Sequence, residues 1–259
     1  MEQIDVMLVG GPTLLIEFAG YRILTDPTFD APQLYHHPIA GPVVKKLGPA
    51  VTPEELGHID LALVSHEHID NLDVSGRGLL TMIPLALTTH DAARGFGANV
   101  EGMENFDSKT VKLPDGRDLT VTAVPAHHGP DGVWEALGPV IGFVLEAEGL
   151  PTIYFSGDNS QVDIVADIAE KFPDIDIAIL NAGGAKFDAI ADGAYITFSN
   201  EAALEATKLL GARKAVMIHE DSWAHFSQDA QSMTKLFEEA GMSKVVVALS
   251  PGESQTLAP

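Results

Sequence analysis

The 259-residue sequence contains no cysteine. It therefore forms no disulfide bond, which fits a reducing compartment, and it offers no thiolate ligand to a metal ion. An uncharged apolar run of about 18 residues, the length of a membrane-spanning helix, is also missing. The sequence starts with acidic residues at Glu2 and Asp5, whereas a secretory signal starts with basic residues and an apolar segment. These absences predict a cytoplasmic protein with no membrane partner.

Basic residues are scarce, because 15 lysines and arginines stand against 37 aspartates and glutamates, for a formal net charge of -22. Binding to a nucleic-acid backbone relies on clustered lysine and arginine, and here these residues are scattered. The charge therefore predicts no nucleic-acid partner and favours a small-molecule substrate. The sequence leaves the oligomeric state open, a homo-oligomer included.

The composition is that of a folded globular protein, with 46% hydrophobic and 20% charged residues and no obvious linker. We expect one domain over residues 1–259. Apolar segments of strand length, separated by turn residues, occur at 5–9, 13–18, 21–25, 60–65, 82–88, 119–124, 140–147, 152–156, 176–180, 214–219 and 244–249. The sequence is rich in strands at its start and alternates between strands and helices later. This order predicts sheets packed between helices.

Three helices are predicted between the later strands. The first spans residues 161–172 with Ser160 as its N-cap, and the second follows Ser199 and ends before Gly211. The third spans residues 228–240. Residues 30–48 contain several prolines and glycines without a clear period, so we expect a long loop that lines a functional site.

A histidine pair follows the mostly apolar run at residues 59–64. His66 and His68 are spaced i, i+2, and Asp70 lies two residues further on. Imidazoles and carboxylates are the ligands that hold zinc-like ions while leaving coordination positions open to water. Taken alone, the pair is as often an ordinary feature of a strand end as a metal site.

Three further apolar strands end in the same kinds of residue. His127 and His128 follow one strand, Asp158 follows the next, and His219 ends a third. Each of these could be an exposed polar residue when considered alone. Four strands that all end in histidine or aspartate predict instead a sheet edge that gathers metal ligands from distant parts of the sequence.

These motifs, taken in order, resemble the metallo-β-lactamase-fold hydrolase superfamily. Within it, the chain is similar to the branch of ascorbate-6-phosphate lactonase and N-acyl-phosphatidylethanolamine phospholipase D. The resemblance rests on residues 11–13, 24–27, 66–70, 125–129, 156–158 and 218–219. It implies an α/β (α+β) fold, a four-layer αββα sandwich with a metal centre at one edge of its sheets.

The resemblance also implies a ligand set. A first ion would be held by His66, His68 and one of the His127/His128 pair, and the family's Pro-Ala-x-His pattern favours His128. A second ion would be held by Asp70 and His219. Asp158 would bridge the two ions.

Asn71 departs from the family pattern, which has histidine at this position. Its amide oxygen is a weaker ligand than imidazole, so we expect a second ion that is weakly held or absent, and therefore one or two ions per chain. Zinc and manganese are the leading candidates. A second departure lies at residues 197–203, where a histidine that often lines the substrate pocket of close relatives is missing, so the relatives' substrates do not transfer to this chain.

The expected activity is hydrolysis by a metal-bound hydroxide. Asp158 would orient the hydroxide and Asp70 would accept or return its proton. His225 follows His219 by six residues in a loop that borders the active site of similar hydrolases, so it is the third candidate catalytic residue. The substrate would be a small ester, lactone, amide or phosphodiester, and the charge of two divalent ions keeps an anionic one open.

Two other readings remain. A metal-binding sensor or scaffold without turnover fits the Asn71 departure, and a nuclease is disfavoured by the charge of -22. Among the other polar residues, we expect Asp26 to hydrogen-bond a ligand histidine and His36 or His37 to cover the pocket. His58 and His90 show no motif, so they are predicted to be structural.

Overall fold

The computed structural model describes residues 2–37 and 40–258. The strands are β1 Ile4–Gly10, β2 Thr13–Phe18, β3 Tyr21–Thr25, β4 Gln33–His37, β5 Gly41–Lys45, β6 Leu61–Leu63, β7 Leu85–Thr89, β8 Val100–Met103, β9 Ser108–Lys112, β10 Asp118–Ala126, β11 Val140–Ala147, β12 Ile153–Phe155, β13 Ile177–Asn181, β14 Lys214–Ile218, β15 Val246–Ala248 and β16 Ser254–Leu257. The helices are α1 Pro53–Leu56, α2 Val74–Leu80, α3 His90–Ala93, α4 Trp134–Leu137, α5 Val162–Lys171, α6 Asn200–Leu210 and α7 Ala230–Glu239, with a 3-10 turn at Ala191–Gly193.

Two mixed sheets of seven strands each form the centre of the fold. The first has the order β16-β1-β2-β3-β6-β7-β8, and the second has the order β15-β14-β13-β12-β11-β10-β9. Each runs antiparallel at one end and parallel at the other, with β3, β6, β7 and β8 parallel in the first and β12, β13, β14 and β15 parallel in the second. The parallel ends carry the helical crossovers, as parallel pairing requires.

Alternating side chains divide the core into layers. In β6, Leu61 and Leu63 join the apolar cluster between the sheets, whereas Ala62 faces the layer that contains residues of α1 and α2. In β13, Ile177 points into the central cluster and Ala178 into the cluster formed with α5, α6 and α7. Because strand side chains alternate between faces, strands covered on both sides are apolar throughout. The result is the predicted four-layer αββα sandwich.

Most predicted strands and all three predicted helices are confirmed within a few residues. Ser199 caps α6 by accepting a hydrogen bond from the backbone N–H of Ala202, and Gly211 ends the helix in the left-handed conformation. The predicted cap of α5 is wrong, because Gln161 occupies the N-cap position. The Ser160 hydroxyl instead donates a hydrogen bond to the backbone carbonyl of His127.

The predicted long loop at residues 30–48 is wrong. β4 and β5 pair there as an antiparallel hairpin, and residues 38 and 39 lie outside the described part of the chain. Contacts distant in sequence fix this hairpin, because Lys45 pairs with Asp73 and the backbone N–H of Lys46 donates to the carbonyl of Ser222. Such contacts leave no periodic signal in the local sequence.

None of the helices in the described ranges combines the length and apolar character needed to cross a bilayer.

Candidate metal centre

Three histidines meet where strands of both sheets end. His66 and His68 lie in the loop after β6, and His128 follows β10. One ring nitrogen from each lies within 4.8 Å of a nitrogen of the other two. His66 and His128 are buried, so three imidazoles share a space that is almost closed to solvent.

Hydrogen bonds hold each of these rings through one nitrogen. The Nδ1 atom of His128 donates to the carbonyl of Ile196 at 2.6 Å, and the Nε2 atom of His68 donates to the carbonyl of Leu137 at 3.0 Å. The Nδ1 atom of His66 is 2.9 Å from the Ser65 hydroxyl. A carbonyl only accepts hydrogen bonds, so the opposite nitrogens of His68 and His128 carry the lone pairs that can bind a metal.

A second group of candidate ligands lies beside the first. Asp70, Asp158 and His219 bring one oxygen or nitrogen each within 4.8 Å of one another. The Nδ1 atom of His219 is 3.2 Å from Oδ1 of Asp158, and its Nε2 atom is 3.8 Å from Oδ2 of Asp70. His219 has a φ of 63°, and its backbone N–H donates to the carbonyl of Gly11.

Asp158 stands between the two groups. Its Oδ2 atom is 3.9 Å from Nε2 of His66 and 3.8 Å from Nε2 of His128, while Oδ1 faces His219. The turn that presents it requires glycine, because Gly157 has a φ of 53° and a Cβ there would lie 2.6 Å from Cβ of Ser65. One carboxylate is thus placed to contact ions in both groups.

Several buried polar atoms at this place have no hydrogen-bond partner among the described residues. They include Nε2 of His66, Oδ2 of Asp158, and both ring nitrogens of His219. Leaving such atoms unpaired in a protein interior is costly, so native structures rarely do so without a bound group. Nitrogen and carboxylate donors of this kind fit a divalent transition-metal ion.

Burial keeps two histidines of the first group, His66 and His68, neutral. Burial lowers the pKa of His68 to about 4, assisted by the neighbouring His128, and burial with the proximity of His68 lowers the pKa of His66 well below its usual value. Neutral imidazole is the form that binds a metal. These rings are therefore ready to coordinate an ion at neutral pH.

The acidic residues of the second group are ionised. Burial alone would raise the pKa values of Asp70 and Asp158, but the contact with His225 lowers that of Asp70 and the contact with His219 lowers that of Asp158. Burial opposes the proton on His219, yet the charge of Asp158 raises its pKa overall. A metal ion would thus replace a proton on His219.

Asn71 lies beside the second group, and the hydrogen bonds of its amide go to carboxylates. Its Nδ2 atom donates to Oδ2 of Asp26 at 3.0 Å and to Oδ1 of Asp158 at 3.2 Å. A second amide, which the sequence motifs do not predict, is Asn181 at the end of β13, whose Nδ2 atom donates to Oδ1 of Asp158 at 2.7 Å. The signal available was its position at the end of a buried strand, beside the strand that Asp158 follows.

Asp26 does not contact a ligand histidine, contrary to expectation. Its carboxylate accepts hydrogen bonds from the backbone N–H and the hydroxyl of Ser65 and from Asn71, so Ser65 lies between it and His66. Complete burial raises the pKa of Asp26 to about 7. Its influence on His66 passes through the serine hydroxyl.

His225 borders the site. Its Nε2 atom is 2.9 Å from Oδ2 of Asp70, and its ring stacks on Phe187 with centroids 4.7 Å apart. His37 lies at the pocket, with its ring 5.5 Å from that of His68, whereas His36 is exposed.

The remaining histidines lie elsewhere. His127 stacks on Trp134 at 4.0 Å, outside the three-histidine group. His58 and His90 are mostly exposed and face Asp60 and Glu104, respectively.

Comparison with known proteins identifies a family and several similar proteins. A family model described as "Beta-lactamase superfamily domain" matches residues 21–219. A UPF0173 metal-dependent hydrolase of Pelotomaculum thermopropionicum is 30% identical over 211 residues, covering 76% of this chain and 82% of that protein. The N-acyl-phosphatidylethanolamine-hydrolyzing phospholipase D 1 of Caenorhabditis elegans is 26% identical, over 82% of this chain and 62% of the enzyme.

Among solved structures, isothiocyanate hydrolase from Delia radicum gut bacteria superposes with a TM-score of 0.80. The two chains are 23% identical, and the match covers 97% of this chain and 98% of the other. At this identity the likeness supports the same fold.

Proposed function

The chain belongs to the metallo-β-lactamase superfamily and is a metal-dependent hydrolase of its UPF0173 group; from this premise we propose that the two ligand groups form one binuclear centre. His66, His68 and His128 would hold the first ion. Asp70 and His219 would hold the second, with Asp158 shared between both. Zinc and manganese are the ions that this donor set suits.

The observation that carries the proposal is the position of Asp158. Its two oxygens face different ligand groups, and the oxygen nearest the histidines has no hydrogen-bond partner in the described part of the chain. The side chain is fully buried and ionised, which is a costly state unless a cation compensates for it. A purely structural carboxylate would be surrounded by donors on both oxygens.

Divalent ions at such a centre lower the pKa of a coordinated water and polarise the bond under attack. The protein's part is to hold the ligands and handle protons. Asn71 and Asn181 fix Asp158 by donating to its Oδ1 atom, and His225 fixes Asp70 through Oδ2. The 2.9 Å contact between His225 and Asp70 gives one place where a proton taken from water can be held.

We propose hydrolysis of an ester, lactone or amide as the reaction, with a phosphodiester as the alternative bond. The test loads the purified protein with zinc or manganese and measures hydrolysis of a panel of these four bond types. Substitution Asp158→Ala should abolish turnover, while His58→Ala should retain it, because His58 lies on the surface beside Asp60. Metal-loaded protein that turns over none of the four classes would favour a binding protein without catalysis.

A further inference from the structure

A pocket opens directly onto the candidate metal centre. It is lined by His68, Asp70 and His128 from the two ligand groups. The other lining residues are His37, Ala40, Val43, Ile69, Leu137, Phe187, Ile190 and Ile196. The pocket is narrow, with a cavity volume of about 30 Å³, so only a small group fits beside the histidines.

Apart from His37, the described residues that form the walls beyond the candidate ligands are all apolar. Ile190 and Ile196 are buried in a small hydrophobic cluster, and Leu137 and Phe187 pack against it. This cluster is separate from the three larger clusters of the sandwich and is built mainly from loops around the pocket. Apolar walls with a few polar groups at one end are typical of small-molecule sites, in which the polar groups orient the reacting end.

No lysine or arginine lines the described part of this pocket. Lys45, on the same hairpin as Val43, is buried and forms an ion pair with Asp73, with 2.8 Å between Nζ and Oδ2. Lys186 is exposed next to Phe187 but lies outside the lining. The Nδ1 atom of His37 accepts a hydrogen bond from the backbone N–H of Ala40.

A charged substrate group would therefore lose its hydration without gaining a lysine or arginine partner among the described residues of the pocket walls. Such unpaired burial of a charge is strongly unfavourable. The charge of -22 on the whole protein adds a repulsion toward anions. Only the end of the substrate that reaches the metal centre avoids both the uncompensated loss of hydration and the repulsion by the net charge.

We propose that the pocket selects an uncharged carbonyl substrate, an ester or lactone whose small apolar group lies against Leu137, Phe187 and Ile190. The inference rests on the proposed hydrolase function and narrows it, because esters with a remote carboxylate carry a charge that the pocket walls disfavour. In the reaction, the oxygen of water bonds to the carbonyl carbon and the bond to the alcohol oxygen breaks. One proton of water goes to the alcohol, and the other is released as the acid ionises.

The test compares phenyl acetate with 4-acetoxybenzoate. Both present the same acetyl ester, and only 4-acetoxybenzoate carries a remote carboxylate. For the metal-loaded parent, we expect kcat/KM to favour the neutral ester by at least about ten-fold. Substitution Leu137→Lys places a cation at the half-buried wall and should reduce this preference several-fold. Leu209→Lys adds the same charge on the exposed face of α6, away from the pocket, and should leave the preference unchanged.

Equal or faster turnover of 4-acetoxybenzoate by the parent would overturn the inference while leaving the proposed hydrolase function intact. An equal effect of Leu137→Lys and Leu209→Lys would also overturn it, because the preference would then come from overall charge. If neither ester is hydrolysed, the proposed hydrolysis of esters is wrong. A binding measurement then tests which ligands the pocket prefers. Ligand-observed NMR should then detect binding of acetophenone that weakens in Leu137→Lys, and unchanged binding would contradict the inference.

Discussion

The two adjacent histidines after β10 differ in role, because one is a candidate metal ligand and the other packs against an aromatic ring. His128 is buried with its Nδ1 atom fixed by Ile196, whereas His127 stacks on Trp134. We predict that His128→Ala loses the first ion and that His127→Ala retains it, as measured by metal content after desalting. Equal loss in two folded variants would show that both rings contribute to the site.

Asn71 is the residue at which the chain departs from its relatives' motif. Because its amide hydrogens face Asp26 and Asp158, it supports Asp158 and would contribute no imidazole to a second ion. We predict that mild chelation removes the second ion before the first. Asn71→His should make the second ion harder to remove, since imidazole is the better zinc ligand.

A chelator titration of the parent and of Asn71→His, with the metal content measured at each step, tests both predictions. If the parent releases both ions together and Asn71→His changes nothing, then Asp70, Asp158 and His219 suffice for the second ion.

Glu220 gives the protein a pH-dependent instability. Its Oε1 atom has no hydrogen-bond partner among residues 2–37 and 40–258, and burial, together with the charges of Asp221 and Asp229, raises its pKa to about 8. The folded state therefore keeps a proton that the unfolded chain loses near pH 4.5, so stability falls as pH rises from about 4.5 to about 8.

Substitution Glu220→Gln removes this loss. In metal-free protein, we expect the variant to be more stable than the parent by about 2 kcal/mol at pH 9 and similar to it at pH 4. Urea denaturation at the two pH values measures the difference. A gain of the same size at both values would mean that the side chain acts through packing and not through its proton.

At the scale of secondary-structure elements, the strands that end in candidate ligands could be predicted from the sequence. Each combines an apolar run with a histidine or aspartate at its end, so both signals are local. The β4–β5 hairpin gave no such signal, because contacts from Lys45 and Lys46 to distant residues hold it in place. The role of Asn181 was hidden for the same reason, since its partner Asp158 lies on another strand end.

The hairpin is fixed by a buried ion pair. Lys45 and Asp73 have side chains that are 1% and 0% exposed, and the Lys45 ammonium lies 5.3 Å from the ring centroid of Trp223. Asp73 also caps α2 and accepts a hydrogen bond from the backbone N–H of Asp30. Removing the lysine leaves a buried carboxylate without its cation, which is strongly destabilising.

We predict that Lys45→Met lowers the free energy of unfolding by about 3 kcal/mol, as measured by urea denaturation. Lys46→Met is the matched control, because Lys46 is exposed, and it should cost less than about 0.5 kcal/mol. A Lys45→Met variant as stable as this control would show that the ion pair does not hold the hairpin.

At the scale of the whole molecule, both ligand groups connect the two sheets. His66, His68 and Asp70 follow a strand of the first sheet, whereas His128, Asp158 and His219 follow strands of the second. Each group takes residues from both sheets. Metal binding to the folded form would therefore tie the halves of the sandwich together and stabilise it by mass action.

The most direct test of this account is the number of ions bound per chain. Protein loaded with zinc and desalted should retain about two ions per chain in the parent and in His58→Ala, because the two groups each supply ligands for one. The double variant His66→Ala/His68→Ala should lose the first ion, and Asp158→Ala should weaken both. Full metal loading in the folded double variant would contradict the assignment of the centre.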